Sequence, residues 1–299
     1  MKTVETKSAL REALAAARAA GRSIGLVPTM GALHAGHVSL LEAARSQCDV
    51  VVMSLFVNPA QFGPGEDLDR YPQDRPVDER LAAAAGVDLI YAPGVEEIYP
   101  EGFATAVEVG GLSDVLCGAP SSRGREHFRG VTTVVAKLLN TVQPEVAYFG
   151  QKDAQQAIVI SRMARDLDFP VRIEICPTVR EADGLAMSSR NAYLDDDARR
   201  RAPALRAALA AVAQTARPGA STAEALAAAR RLLAEAEIVP EYLEARDADR
   251  LEPVETFNGR PVLVALAAQV GRARLIDNVI IEPPDGAPGR DAPSIERRD

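Results

Sequence analysis

The sequence has no tryptophan and only three cysteines and three histidines among its 299 residues. Cys48, Cys117 and Cys176 are far apart and lack Cys-x-x-Cys spacing, which argues against a disulfide framework or a structural zinc site. No apolar run approaches the ~20 residues of a membrane-spanning helix, and the first residues lack the apolar region of a signal peptide. We therefore expect a cytoplasmic protein with reduced cysteines and no membrane partner.

An excess of positive charge is also missing. The chain has 34 basic and 42 acidic side chains, a formal net charge of −8, so we expect no general attraction to nucleic acid or to an anionic membrane. Hydrophobic residues make up 47% and charged residues 25%, the balance of a packed globular protein. A chain of this length can form two ordinary domains. An anionic ligand would then have to be bound locally, by a few converging groups.

Short apolar segments alternate with helical segments through the first 178 residues. Strands are predicted at 23–28, 49–56, 87–92, 145–149 and 170–176. Helices are predicted at 8–20, 36–47, 75–85, 130–142 and 153–167. Because the strand at 49–56 is too apolar to be half exposed, the pattern predicts an α/β fold with a doubly wound parallel sheet. Ligands bind beyond the carboxyl ends of such strands, so the loops after residues 28, 56, 149 and 177 should converge there.

The pattern changes after Arg190, where a second, smaller α+β domain is predicted. Its helices are expected at 196–215 and 221–236, and its strands near 241–247, 261–267 and 272–282. We expect domains at 1–178 and 179–283 with a hinge between them, and a disordered tail at 284–299, which is rich in Pro, Gly, Asp and Arg. The Pro- and Gly-containing segment 57–73 is too long for a simple connection and is a candidate lid.

Residues 24–37 run from an apolar strand through a Gly-rich turn to His34 and His37, at the start of a predicted helix. A helix N-terminus presents unpaired N–H groups and a positive dipole end, and two imidazoles add hydrogen-bond donors. This combination favours a phosphate site for a nucleoside triphosphate. The alternatives are a capping pair or half of a metal site, although no further metal ligands lie nearby at the required spacing.

Two other loops carry charged or hydroxyl side chains suited to phosphate. Lys152 follows Gly150 where a strand should end, and it can follow developing phosphate charge while Asp153 accepts from a ribose. A solvated Lys–Asp pair is the alternative. Ser188, Ser189 and Arg190 can surround terminal phosphates, or the two serines can simply cap a helix.

Neutral amides form the last cluster. Asn58 and Gln61 lie in the long loop, and Gln156 follows the lysine turn. Amides can orient the hydroxyl and carboxylate groups of a small polar substrate without adding charge. These three residues are therefore candidates for substrate binding, although none is specific when taken alone.

Taken together, these segments resemble the pantothenate synthetase family, over residues 22 to about 283. The segments that carry the resemblance are Pro28–His37, Phe56–Pro59 with Gln61-Phe62, His127–Val131, Gly150–Asp153 with Gln156, and Val179-Arg180 followed by Met187–Asn191. The family belongs to the nucleotidylyltransferase superfamily, whose His-x-x-His motif lies on a Rossmann-like domain. The resemblance therefore implies ATP as a substrate, magnesium, and a cytoplasmic homodimer.

The resemblance also implies a reaction and a set of site residues. ATP would activate pantoate as pantoyl adenylate, and β-alanine would then displace AMP to give pantothenate. Catalysis would fall to His34, His37, Lys152 and Arg190, with His37 as proton donor. Pantoate would bind to Gln61 and Gln156, and no protein metal ligand is assigned. The implied ATP-binding residues are Pro28, Met30, Gly31, Ala32, Leu33, His34, Ala35, Gly36, His37, Gly150, Gln151, Lys152, Asp153, Val179, Met187, Ser188, Ser189 and Arg190.

The chain departs from the family pattern in the segment 118–126, which is longer than the usual short turn, so no role is assigned to Arg123 or Arg125. Gln151 and Ala154 stand where some relatives have Glu and Tyr, and neither change removes an obvious reacting group. Other possibilities are an adenylyltransferase of the same superfamily, an aminoacyl-tRNA synthetase-like protein, and a nucleotide-binding module without catalysis. The acidic balance argues against the tRNA-binding alternative.

Overall fold

The structure, a computed structural model, describes residues 1–283, so the tail predicted at 284–299 lies outside the described residues. Six strands form a parallel sheet in the order β1-β4-β3-β2-β5-β6. They are β1 (Lys2–Val4), β2 (Ile24–Thr29), β3 (Val50–Leu55), β4 (Leu89–Tyr91), β5 (Val146–Gly150) and β6 (Arg172–Cys176). The five predicted strands are all present. Strand β1 was not predicted, because its three residues are too few to show a periodic pattern.

The middle of this sheet is β2, with β3 on one side and β5 on the other. The chain therefore winds outward from β2 in both directions, which opens a crevice at the carboxyl ends of these strands. The helices of this region are α1 (Lys7–Ala19), α2 (Ala35–Gln47), α3 (Arg75–Ala84), α4 (Val95–Ile98), α5 (Arg125–Val142) and α6 (Ala154–Asp166).

Both faces of the sheet are covered. On β3, Val52 belongs to the apolar cluster that includes α1 and α5, whereas Met53 belongs to the cluster that includes α2. Successive residues of a strand point to opposite faces, so a strand covered on both sides is apolar at nearly every position. This explains why the sequence here reads as continuous apolar runs.

Helix α5 begins at Arg125, five residues before the predicted start, and Gly130 lies inside it. A Cβ atom at Gly130 would be 2.2 Å from the carbonyl oxygen of Ala60. Glycine therefore lets α5 approach the 3₁₀ helix Pro59–Gln61, and the Asn58 side chain donates to the Gly130 carbonyl at 3.1 Å. This contact places the 57–73 loop beside the carboxyl ends of the strands.

The smaller region is α+β, as predicted. Its antiparallel sheet has the order β7-β8-β9, formed by β7 (Pro240–Asp247), β8 (Val262–Val270) and β9 (Ala273–Ile281). Its helices are α7 (Asp196–Arg201), α8 (Ala204–Thr215) and α9 (Thr222–Glu235). The prediction of one helix over 196–215 is wrong. The helix divides at Pro203, because proline has no N–H to donate to the preceding turn.

The two regions contact each other directly. A buried apolar cluster joins Phe128 of α5 and Ile158 of α6 to Leu251 and to Leu263 of β8. The connecting segment folds back on itself through the bridge between Arg180 and Ala186. The domain division at 178 and the hinge stay predictions. Within residues 1–283, no helix is long and apolar enough to cross a membrane.

Candidate active site

The loops after β2, β3, β5 and β6 surround one cavity of about 230 Å³. Most of the predicted site residues line it: Pro28, Met30, His34, Gly36, His37, Asn58, Gln61, Gly150, Lys152, Asp153, Gln156, Val179, Met187, Ser188, Ser189 and Arg190. Gly31, Ala32, Leu33, Ala35 and Gln151 are not among its lining residues. Segments that are far apart in the sequence are thus brought together around one space, as expected at the carboxyl edge of a doubly wound sheet.

The two histidines cap α2 reciprocally. His34 Nδ1 accepts from the Gly36 N–H at 3.1 Å, and His37 Nδ1 accepts from the His34 N–H at 3.4 Å. The ring centroids are 4.1 Å apart. Because each Nδ1 accepts, each neutral ring carries its proton on Nε2, which remains free to donate to an anion. The capping alternative is therefore correct and does not compete with phosphate binding.

Burial keeps both histidines neutral. It lowers the pKa of His34 to about 4, with a further contribution from the Lys152 charge. It also lowers the pKa of His37 to about 3, with His34 and Lys152 adding to the effect. At neutral pH His37 therefore offers a hydrogen bond from Nε2 and carries no positive charge.

The turn between β2 and α2 is held by a residue that the sequence analysis did not single out. Asp78 of α3 is only 2% exposed, and its carboxylate accepts from the Ala32 N–H at 3.1 Å and the Leu33 N–H at 2.7 Å. The turn needs this support because Gly31 and Ala32 have positive φ angles, +87° and +51°. The N–H groups of Ala32 and Leu33, two residues that the family resemblance implies bind ATP, are therefore already bonded within the protein.

The lysine turn follows β5 directly, as a 3₁₀ helix over Gln151–Asp153. Lys152 Nζ lies 3.6 Å from an Asp153 carboxylate oxygen, and both side chains line the cavity. This ammonium lies close enough to both imidazoles to lower their pKa values. The turn thus supplies the positive charge that the neutral histidines lack.

The Met187–Arg190 segment meets the candidate lid. Ser188 caps the short 3₁₀ helix that follows it by accepting from the Arg190 N–H at 3.3 Å. Arg190 donates from Nε and Nη2 to the two carboxylate oxygens of Asp67, at 3.1 and 2.9 Å. Tyr193 donates to the Arg70 carbonyl at 3.1 Å. The 57–73 loop is therefore bound to this segment on the rim of the cavity.

The predicted substrate amides differ in how free they are. Asn58 is 1% exposed; it donates to Gln61 Oε1 at 3.0 Å and accepts from the Tyr99 hydroxyl at 2.8 Å. Gln61 donates to Met30 Sδ at 3.2 Å. Because the Asn58 groups are occupied by protein partners, Asn58 fits a role in orienting Gln61 better than direct contact with substrate. Gln156 lines the cavity.

A second cavity of about 650 Å³ adjoins the first and is bounded by β8 and β9 of the smaller region. The two share the lining residues Arg123, His127, Lys152, Asp153, Gln156, Ser188 and Arg190. The larger cavity reaches the lid residues Gly65, Glu66, Asp67 and Arg70 and the segment around Leu116 and Cys117. It therefore offers a separate approach to Lys152.

The 118–126 segment contributes Arg123, a residue without an assigned role in the sequence-based prediction. Its side chain is 16% exposed; it pairs with Glu66 and donates to His127 Nε2 at 3.2 Å and to the Gln61 carbonyl at 3.3 Å. His127 Nδ1–H in turn bonds the Gln61 carbonyl at 2.8 Å, and burial lowers the His127 pKa to about 4. Arg125 instead pairs with Glu108 on the surface and is 55% exposed. Only Arg123 reaches the site.

A family model described as pantoate-beta-alanine ligase matches residues 2–280. The chain is 57% identical to a pantothenate synthetase of Moorella thermoacetica over 94% of this chain and 99% of that protein. Among solved structures it matches the pantothenate synthetase of Thermus thermophilus with a TM-score of 0.87, at 49% identity over 95% of this chain and 100% of that one. It also matches a Francisella tularensis pantoate-beta-alanine ligase complexed with beta-gamma ATP and beta-alanine, with a TM-score of 0.75 and 31% identity, over 94% of this chain and 97% of that one.

Proposed function

The chain belongs to the pantoate-beta-alanine ligase family, and we propose that it joins pantoate to β-alanine through a pantoyl adenylate, releasing pantothenate, AMP and pyrophosphate. The observation that carries this proposal is the single cavity in which His34, His37, Lys152, Gln61 and Gln156 meet. The Francisella complex with beta-gamma ATP and beta-alanine supports ATP as the nucleotide and β-alanine as the amine.

In the first step, a carboxylate oxygen of pantoate attacks the α-phosphorus of ATP. The bond from that phosphorus to the pyrophosphate oxygen breaks, and pyrophosphate leaves with the electron pair. Negative charge gathers on the phosphate oxygens, so catalysis needs positioning and charge stabilisation more than a covalent nucleophile. Lys152 supplies a mobile positive charge, and the Nε2–H groups of His34 and His37 supply hydrogen bonds. Gln61 and Gln156 orient pantoate, and Arg123 and His127 fix the backbone of Gln61.

In the second step, the β-alanine amine attacks the acyl carbon of the adenylate, and the bond between that carbon and the phosphate oxygen breaks. AMP leaves with the electron pair, and the proton that the amine loses passes to the leaving phosphate group. We assign the approach of the amine to the larger cavity, because it shares Lys152 and Gln156 with the smaller cavity, whereas His34 and His37 line only the smaller one. The anhydride is sensitive to water, so the 57–73 loop would protect it until the amine arrives.

Magnesium is proposed to enter on the phosphates of ATP. Within residues 1–283, no group of three or more His, Cys, Asp and Glu side chains is placed to hold a metal ion. Mg²⁺ commonly keeps several waters and binds substrate phosphates with one or two carboxylates, and Asp153 is the carboxylate next to Lys152. A homodimer and a cytoplasmic location are proposed on the family resemblance.

The test is an assay of the purified protein with ATP, pantoate and β-alanine, each omitted in turn. We expect pyrophosphate to be released when ATP and pantoate are present, and free AMP to appear only when β-alanine is added. A nucleotide that stays on the product in the presence of β-alanine would indicate an adenylyltransferase instead. Failure to release pyrophosphate under any combination would indicate a binding protein without catalysis.

A further inference from the structure

Two neighbouring residues of β9, Asp277 and Asn278, are buried and bonded to two loops of the site. Asn278 Nδ2 donates to the Gln151 carbonyl at 2.8 Å and to the Lys152 carbonyl at 3.0 Å. Asn278 Oδ1 accepts from Gln151 Nε2 at 3.5 Å. One side chain of the smaller region thus holds two successive peptide groups of the lysine turn.

Asp277 holds the other loop. Its carboxylate accepts two bonds from the Arg180 guanidinium, at 2.7 and 2.9 Å, and Arg180 Nη1 also donates to the Gly184 carbonyl at 3.0 Å. Arg180 and Gly184 belong to the hairpin that leads into Met187–Arg190. Asp277 Oδ1 further accepts from the Asn278 N–H at 2.8 Å, which links the two contacts.

The lysine turn depends on this support. The 3₁₀ helix Gln151–Asp153 is only three residues long, and no side chain caps its N-terminus. Lys152 Nζ lies at the end of a flexible four-carbon stem, which does not fix the ammonium by itself. The ammonium therefore reaches a defined position only when the backbone that carries it is held in place. A displacement of about 1 Å at a group that stabilises a transition state can cost on the order of 10²-fold in rate.

We propose that Asn278 is a positioning residue that fixes the lysine turn, and that Asp277, on the same strand, fixes the hairpin that leads into Met187–Arg190. The distance between the two loops is then set by β9, so the first region acquires a correctly placed Lys152 only when the smaller region is docked. This inference rests on the role of Lys152 in the proposed function. It differs from a merely structural role, in which Asn278 would only satisfy buried carbonyl groups.

The first test is a double-mutant cycle on pyrophosphate release, using the full chain. Asn278→Ala should lower kcat on the order of 10- to 100-fold, with a smaller change in the KM for ATP. In a Lys152→Ala background, the same change should cost less than about twofold, because residues that act as one unit are not additive. A full additional loss in that background would overturn the inference.

The matched control removes another contact between the two regions. Asp249, beyond β7, lies 3.9 Å from Arg162 of α6, away from the cavity. Asp249→Asn should leave kcat within about twofold, since it deletes a partly exposed ion pair. If this control lowers kcat as much as Asn278→Ala does, the effect reflects general docking of the two regions and the inference fails.

A second variant tests the same inference if Asn278→Ala folds poorly. Asn278→Asp has nearly the same shape but directs a carboxylate at two carbonyl oxygens, and it can donate only when protonated. Its activity relative to the unchanged protein should therefore rise on the order of tenfold as the pH falls from about 8 to about 6, because burial favours the neutral acid. A ratio that does not change with pH would contradict the proposal. An unchanged protein that releases no pyrophosphate would overturn the proposed function itself, whereas an active protein unaffected by Asn278→Ala would overturn only this inference.

Discussion

The buried carboxylate of Asp78 supports the turn that carries the histidines, and removing it should affect both stability and ATP binding. It accepts two N–H groups, from Ala32 and Leu33, inside the protein. Hydrogen bonds to a charged group contribute about 1.5–3 kcal/mol each, and a buried donor left without a partner costs about 1–3 kcal/mol. The desolvation of the carboxylate offsets part of this gain. We therefore expect Asp78→Ala to lower the free energy of unfolding by about 3–5 kcal/mol.

A second effect should appear in ATP binding. The positive φ of Ala32, +51°, costs energy that its bond to Asp78 helps to offset. Without the carboxylate the turn can relax, which would move His34 and Met30 relative to the cavity. Asp78→Asn keeps the shape of the side chain but can accept through only one oxygen. It should therefore cost about half of the unfolding free energy that Asp78→Ala costs, and it should raise the KM for ATP about tenfold.

The measurements are urea unfolding and the ATP dependence of pyrophosphate release, compared with a control on the same helix. Asp74 caps α3 by accepting from the Val77 N–H at 3.1 Å, and it is exposed. Asp74→Ala should cost about 1 kcal/mol and leave the KM for ATP unchanged. If Asp78→Asn matches the unchanged protein in both measurements, or if Asp74→Ala raises the KM equally, the assigned role of Asp78 is wrong.

Three further predictions follow from the geometry of the site. Lys152→Ala and His37→Ala should each lower turnover by on the order of 10²- to 10⁴-fold in steady-state assays while circular dichroism stays unchanged; near-normal activity in both would refute the assigned roles. Arg123→Ala should cost far more activity than Arg125→Ala, because it leaves Glu66 without its partner beside the cavity; equal effects would contradict this difference. The three histidines should contribute fully to the unfolding free energy above pH 6.5. This contribution should fall as the pH drops towards about 4, because the histidines bind protons more readily in the unfolded chain. Urea titrations that give a constant unfolding free energy over this range would contradict the lowered pKa values.

Local sequence patterns predicted the parallel sheet well, because its central strands are buried on both faces. The segment Val50–Leu55 does not alternate between apolar and polar residues, as a half-exposed strand would. Its carboxyl end correctly predicted one side of the cavity. The pattern failed where local and tertiary signals compete. Gly130 lies within α5 where the helix approaches the backbone of Ala60, so a residue that usually weakens a helix is required there by packing. Nothing in the neighbouring residues indicates that contact.

The residues that support the site were the least predictable. Asp78 is followed by Glu79 and Arg80 in α3, a charged run that is typical of a solvated face, and its partners are 45 and 46 positions away in the sequence. Asn278 lies in a strand of the other region, 126 and 127 positions from the carbonyl groups that it holds. The sequence shows the side chains suited to phosphate, whereas the groups that orient them become visible only when distant segments meet.

Arg190 binds the candidate lid through Asp67. Its guanidinium has five N–H donors, and Asp67 takes one from Nε and one from Nη2, so three remain for a phosphate. In the proposed reaction the same side chain can therefore bind ATP and the 57–73 loop at once. A phosphate on the free donors would lie near the Asp67 carboxylate, and the positive charge between them would keep the two anions compatible. Because the ion pair between Arg190 and Asp67 already holds the loop on the rim of the cavity, closure over the adenylate would require no new contact in the loop.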